Sequence, residues 1–160
     1  IDSVIRVNTE AGHVIYSLDI YGQIDSNYAG RFEKIMKEVP NYIKYEGVVQ
    51  YDKSVEILKD YYLLLFPTYF DGEGFPGTLI DALSSGIPTI ATDWHYNSEI
   101  LRENETGKLI PTHDIEGLIS ALKDCSENTQ IILNMKKECI KEAYKYLPKN
   151  ALLPLIANIK

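Results

Sequence analysis

Apolar residues along this chain come in short runs separated by stretches of helical spacing. His13 to Gly22 (HVIYSLDIYG) carries Val14, Ile15, Leu18, Ile20 and Tyr21 and stops at a glycine, which predicts a buried strand feeding a turn. Tyr28 to Glu38 then sets Tyr28, Phe32, Ile35 and Met36 at helical spacing ahead of Pro40. Asn41 to Glu46 alternates as a short strand closed by Gly47. Between Tyr51 and Asp60, Val55, Ile57 and Leu58 follow Asp52, an N-cap candidate for a short helix. Tyr61 to Phe66 (YYLLLF) is apolar throughout up to Pro67, as expected of a strand covered on both faces. Thr78 to Ser85 predicts a helix, Ile87 to Thr92 (IPTIAT) another buried strand and Lys108 to Pro111 a last short one. Ile115 to Lys123 and Ile131 to Leu147 close the pattern as two helices, the second ended by Pro148.

Strands that alternate with helices, several of them apolar throughout, point to an α/β domain: a Rossmann-like parallel sheet with helices on both faces. No internal repeat or low-complexity segment interrupts it. Folds of this kind bind ligands at the carboxyl ends of the strands, which directs attention to the loops after Gly22, Glu46, Phe66 and Thr92.

Composition narrows the class without changing it. A chain of 160 residues with 45% hydrophobic and 24% charged residues fits one globular domain that needs neither disulfides nor a structural metal. Its 16 basic and 23 acidic residues give a formal net charge of −7, and the basic ones are scattered, so no nucleic acid partner is expected. The absence of a long apolar run and of an opening signal peptide leads us to expect a cytoplasmic location. Cys125 and Cys139 stand far from His13, His95 and His113, which leaves no metal-ligand spacing; both cysteines are expected as reduced core residues. The chain opens Ile1-Asp2-Ser3 without an initiator Met, which suggests processing or a piece of something longer.

The most unusual segment is 67 to 92, PTYFDGEGFPGTLIDALSSGIPTIAT, where a strand runs into a loop with three glycines and an isolated Glu73 before a helix opens near Gly77. A helix start offers unpaired N–H groups and partial positive charge, a setting for an anionic group. Gly74 and Gly77 let a diphosphate approach the backbone. Asp81 is expected within the first turn or so, where the helix dipole favours a carboxylate. The plainer reading is equally open at this point: a solvated Glu73, a surface Asp81 and turn-making glycines. The loop matches neither GxGxxG nor the phosphate-loop motif.

The order of residues goes further. Pro67, Glu73, Gly74, Phe75, Ala82, Gly86, Pro88, Ile90 and Ala91, then Glu99 and Ile100, then Gly107, Leu109, Ile110 and Pro111, closely resemble the carboxy-terminal domain of the retaining GT-B glycosyltransferases of group 1, the family with the E-x7-E motif. IYG at Ile20 to Gly22 and IKYEGV at Ile43 to Val48 resemble its second and third strands, so about residues 1 to 125 are covered.

The resemblance implies transfer of a hexose from a nucleoside-diphosphate sugar to an acceptor hydroxyl with retention. Glu73 takes the place of the carboxylate that meets donor-sugar hydroxyls near the reaction centre, and a carboxylate can accept from two neighbouring hydroxyls at once. Gly74, Phe75, Pro76 and Gly77 fall where sugar and diphosphate are held, Asp81 where both ribose hydroxyls are held, and Glu99, also counted as donor-binding, where the family more often orders the next loop than contacts sugar. Asp81 stands for the family's usual Glu, so its reach is shorter by about 1.5 Å, one carbon–carbon bond. Tyr45 to Val49 resembles the segment whose backbone meets the base, and Trp94, His95 and Tyr96 occupy a loop that is often Gly-Gly in the family.

Neither a metal nor another cofactor is implied, because leaving-group charge falls to helix amides and to an Arg and Lys segment that has no match here. Ile1 to Ile5 resembles the helix after that segment. The family's first strand, normally central in the sheet, and its amino-terminal acceptor domain are likewise unmatched, so residues 1–160 read as one donor-binding domain expected to be inactive alone. The acceptor it would serve, in polysaccharide biosynthesis, can be membrane-associated. Two other readings remain: a non-catalytic partner module of the same fold, and a sugar-nucleotide epimerase.

Overall fold

The chain is described from a computed structural model covering residues 1–153 and 156. Residues 154, 155 and 157–160, the end of the expected 1–160 domain, lie outside the described residues. Elements follow in the order α1 (Asp2–Ala11), β1 (Leu18–Tyr21), α2 (Ala29–Glu38), β2 (Ile43–Gly47), α3 (Ser54–Leu58), β3 (Leu64–Phe66), α4 (Gly77–Ser85), β4 (Thr89–Thr92), α5 (Asn97–Ile100), β5 (Gly107–Ile110), α6 (Ile115–Glu127) and α7 (Thr129–Ala143). A 3₁₀ turn at Tyr144–Tyr146 and α8 (Pro148–Ala151) follow. Every strand pair is parallel, β1 with β2, β3 with β4 and β4 with β5, as the alternating pattern predicts.

Alternate residues of β3, β4 and β5, with Leu63 just ahead of β3, feed two separate cores, which is what a parallel sheet covered on both sides requires. Leu63, Leu65, Ile90 and Ile110 face a cluster with Val4 and Val7 of α1, Ile119 and Leu122 of α6 and Met135 of α7. Leu64, Phe66, Ala91 and Leu109 face the other side, against Leu79 and Leu83 of α4, Ile100 of α5 and Cys139 of α7. Gly86, at φ 69°, ends α4 in the left-handed conformation and returns the chain to β4. Gly107 pairs with Thr89, and a Cβ there would collide with the Thr89 carbonyl oxygen, so this strand start tolerates no side chain.

Several boundaries differ from expectation for identifiable reasons. The strand expected from His13 begins only at Leu18, because the buried Asn8 side chain captures the lead-in: its Oδ1 accepts from the Ile15 and Tyr16 amides at 2.8 and 3.0 Å, and its Nδ2 donates to the Tyr16 carbonyl at 2.8 Å. Asp52 does not cap α3, which starts at Ser54 after Lys53. The helix expected to run to Leu147 ends at Ala143, and Pro148 opens α8 at a position where its missing N–H costs nothing, rather than terminating a helix. The short α5, four residues long and following β4, has no counterpart in the hydrophobic pattern.

The sheet is in two pieces. Leu18 N donates to the Tyr42 carbonyl and Gly22 N to the Gly47 carbonyl, so by alternation the peptide groups of Asp19 and Tyr21 face away from β2. Leu64 N donates to the Pro88 carbonyl, which turns the peptides of Leu63 and Leu65 away from β4. All four residues line a cavity of about 1690 Å³ between β1 and β3. Tyr61 reaches to β1, its hydroxyl donating to Asp19 Oδ2 at 2.8 Å and lying 2.7 Å from the Tyr21 hydroxyl. Desolvation, then these two neighbours, raise the Tyr61 pKa above its ordinary value. Among the described residues no helix is long and apolar enough to cross a membrane.

Cys125 and Cys139 are free and buried, and burial pushes both thiols up, that of Cys139 to about 12. The thiolate is the nucleophile, so near pH 8 almost none of it exists at either site. Native protein is therefore expected to leave both cysteines unlabelled by a disulfide reagent at that pH, and protein in guanidinium to label both, as read by peptide mass mapping. Gly107→Ala is expected to lower stability by about 1 to 3 kcal/mol, measured as a fall in the urea midpoint.

Candidate active site

Pro67 ends β3, and the loop behind it is held by its own backbone and hydroxyls. The Thr68 hydroxyl donates to Glu73 Oε2 at 3.3 Å and accepts from the Phe70 amide at 3.3 Å. The Glu73 amide in turn donates to the Phe70 carbonyl at 3.0 Å. That same carbonyl accepts from the Trp94 indole N–H at 3.0 Å, which ties the loop to the β4–α5 connection. Thr92, buried at the end of β4, donates its hydroxyl to the Thr68 carbonyl, and Asn97 Nδ2 donates to the Thr92 carbonyl at 2.9 Å. The three loop ends are thereby cross-tied at the carboxyl edge of the sheet. Glu73 is half-buried with one neutral partner.

Helix α4 opens at Pro76, which is buried and offers no capping side chain. The Leu79 amide bonds back to the Pro76 carbonyl at 3.1 Å, whereas the amides of Gly77 and Thr78 have no backbone acceptor among the described residues. A Cβ at Gly74 or at Gly77 would meet open space, so a ligand can come against the backbone there. Gly77, Thr78 and, one turn on, Asp81 line the large cavity, together with Val48, Val49, Gln50, Tyr51 and Ser54 of the β2–α3 segment. Asp81 is the fifth residue of α4 and lies outside the first turn, contrary to the dipole argument drawn from the sequence. A different contact holds it: Ser54 Oγ donates to Asp81 Oδ2 at 2.5 Å.

Phe75 and Glu99 are both near Tyr146. The exposed Phe75 ring sits between Tyr96 and Tyr146, with centroids 6.3 and 6.2 Å away. Glu99, exposed in α5, is close enough to Tyr146 to contribute to raising its hydroxyl pKa, after desolvation and Glu142. The structure thus brings Gly77 and Asp81 to the cavity, while Glu73, Gly74, Phe75, Pro76 and Glu99 do not line it. His95 has a left-handed backbone, φ 46°, a conformation that glycine adopts more readily than a residue with a side chain. Ser54, Tyr61 and Tyr21 escaped the sequence reading; the one signal available for Ser54 was its place just past the loop after Gly47. Among the described residues no three His, Cys, Asp or Glu side chains group to hold a metal ion.

Residues 1–128 match the family described as "Glycosyl transferases group 1". The chain belongs to this family. One relative, the GtfA subunit of a UDP-N-acetylglucosamine–peptide N-acetylglucosaminyltransferase from Streptococcus agalactiae, is 30% identical over 154 residues, 91% of this chain and 28% of its own length. Among solved structures, the carboxy-terminal domain of a group 1 protein (LpcC) from Francisella tularensis superposes with a TM-score of 0.79 at 14% identity, covering 92% of this chain and 77% of that one. Pneumococcal GtfA, solved with UDP and GlcNAc, gives a TM-score of 0.73 at 24% identity over 97% of this chain and 31% of its own. The fold is the carboxy-terminal half of GT-B, and the chain spans less than a third of either GtfA relative.

Thr92 is the knot of the loop ties in this group 1 domain. Thr92→Val leaves the Thr68 carbonyl without its partner and is expected to cost about 1 to 3 kcal/mol, read by chemical denaturation, while Thr92→Ser retains most of the stability.

Proposed function

We propose that residues 1–160 form the donor-binding half of a retaining hexosyltransferase that uses a nucleoside-diphosphate sugar, uridine diphosphate being the first nucleotide to test. The observation that carries this reading is that the open amino end of α4 and the Asp81 carboxylate line the cavity between β1 and β3, which extends to Gly22 and Pro67 just past the carboxyl ends of those strands. In such a site the free amides of Gly77 and Thr78 meet the diphosphate, with the helix terminus supplying partial positive charge. Asp81 accepts from the ribose, and Glu73, beside the open space at Gly74, accepts from sugar hydroxyls. The leaving diphosphate is stabilised by these fixed dipoles and not by a metal. The choice of uridine follows the uridine-nucleotide name of the Streptococcus agalactiae relative. Acceptor binding belongs to parts of the protein beyond residues 1–160, so this domain alone is inactive.

Glu73 acts where the sugar changes charge and shape, while Asp81 holds the ribose equally in ground and transition states. In the intact protein, Glu73→Gln is accordingly expected to lower turnover about a hundredfold with little change in UDP affinity, the scale seen when one transition-state donor or acceptor is removed. Asp81→Ala is expected to cost about 1.5 to 3 kcal/mol of UDP affinity. Calorimetric titration with UDP and steady-state rates read the two effects. Unchanged turnover in Glu73→Gln removes the sugar role, and unchanged UDP affinity in Asp81→Ala removes the ribose role.

A further inference from the structure

We propose that Ser54 completes the ribose subsite, forming with Asp81 a two-residue acceptor that selects ribonucleotides over 2′-deoxyribonucleotides. This rests on the donor-site reading above and extends it to a residue outside the family motif. Ser54 opens α3, Asp81 lies in the second turn of α4, and both line the cavity. The Ser54 hydroxyl lies 2.5 Å from Asp81 Oδ2 and 3.3 Å from the Tyr51 carbonyl. A hydroxyl has a single proton, and the nearer, charged acceptor takes it.

The consequence is chemical. With its proton committed to Asp81, Ser54 Oγ can only accept further hydrogen bonds, and Asp81 Oδ1, with no protein donor among the described residues, can only accept as well. The pair therefore presents adjacent acceptor atoms on neighbouring residues and no donor, which suits a ligand bearing two donor hydroxyls on adjacent carbons. A 2′-deoxyribose leaves one acceptor unmatched. The shorter Asp side chain is also fixed in direction, since rotation of its carboxylate breaks the bond to Ser54. A Glu at this position spans the same two hydroxyls with its own two oxygens; here a serine on the facing helix supplies the second.

A separate tie allows the binding role to be distinguished from a structural one. The Ser85 hydroxyl also joins the two helices, donating to the Asp81 carbonyl at 2.7 Å or the Val55 carbonyl at 3.1 Å, without touching the Asp81 carboxylate. Calorimetric titration of the intact protein with UDP and with 2′-deoxy-UDP, for wild type, Ser54→Ala, Ser54→Thr, Asp81→Asn and Ser85→Ala, tests the proposal. Wild type is expected to prefer UDP, and Ser54→Ala to lose about tenfold in UDP affinity and most of that preference. Ser54→Thr is expected to restore both, Ser85→Ala to keep both, and the Ser54→Ala loss to shrink when Asp81→Asn is already present. Equal binding of the two nucleotides by wild type, an unchanged preference in Ser54→Ala, or an equal loss in Ser85→Ala overturns the Ser54 assignment and leaves the donor-site reading standing. Failure of wild type to bind either nucleotide, or ADP or GDP, overturns the donor-site reading and the Ser54 assignment with it.

Discussion

The site depends on the rotation of one helix. Leu79, Ala82 and Leu83 of α4 are fully buried, Leu79 and Leu83 against Leu64, Phe66 and Ala91, and that packing permits one orientation of α4 about its axis. Asp81, at about 100° from each chain neighbour, then turns to α3 and the cavity, and Gly77 and Thr78 follow on the same side one turn earlier. The parallel register of Leu64 to Phe66 with Thr89 to Ala91 holds the two ends of this crossover, so the loop carrying Glu73 has little freedom in where it starts or stops. Apolar packing on one side of the helix thereby sets polar chemistry on the other.

The crossover was readable from sequence because its signals are local: a continuous apolar run, a proline, glycines at the loop and helix end, and a second apolar run. What could not be read depends on residues far apart in the chain. The hydroxyl of Ser54 and the carboxylate of Asp81 meet only because α3 packs on α4, and no spacing rule links positions on separate elements. The Asn8 side chain shortens β1 for the same reason, since it competes with the sheet for the Ile15 and Tyr16 peptide groups through a contact between a helix and the segment ahead of the strand. The helix start near Gly77 is legible in the sequence, yet Asp81 falls just past the first turn of α4, and the contact that holds it is Ser54 rather than the helix dipole.

The half-burial of Leu63 to Phe66, in a strand that reads as fully apolar, has a related cause. Strands β1 and β3 each use one edge, and their other edges point into a shared cavity lined by apolar side chains and by the Tyr61–Asp19 bond. Buried peptide groups need partners, and two parallel edges facing one another across such a space have the hydrogen-bonding capacity of a strand between them. Exposed, the same edges favour pairing with other chains.

Trp94 is the sole indole in the sequence, half-buried and bonded through its ring N–H to the Phe70 carbonyl, with the His95 ring 4.5 Å away. The loop carrying Glu73 is therefore wired to an intrinsic chromophore. Emission from an indole responds to the loss of such a bond, so this segment reports its own rearrangement optically, without a label attached beside the carboxylates it is meant to observe.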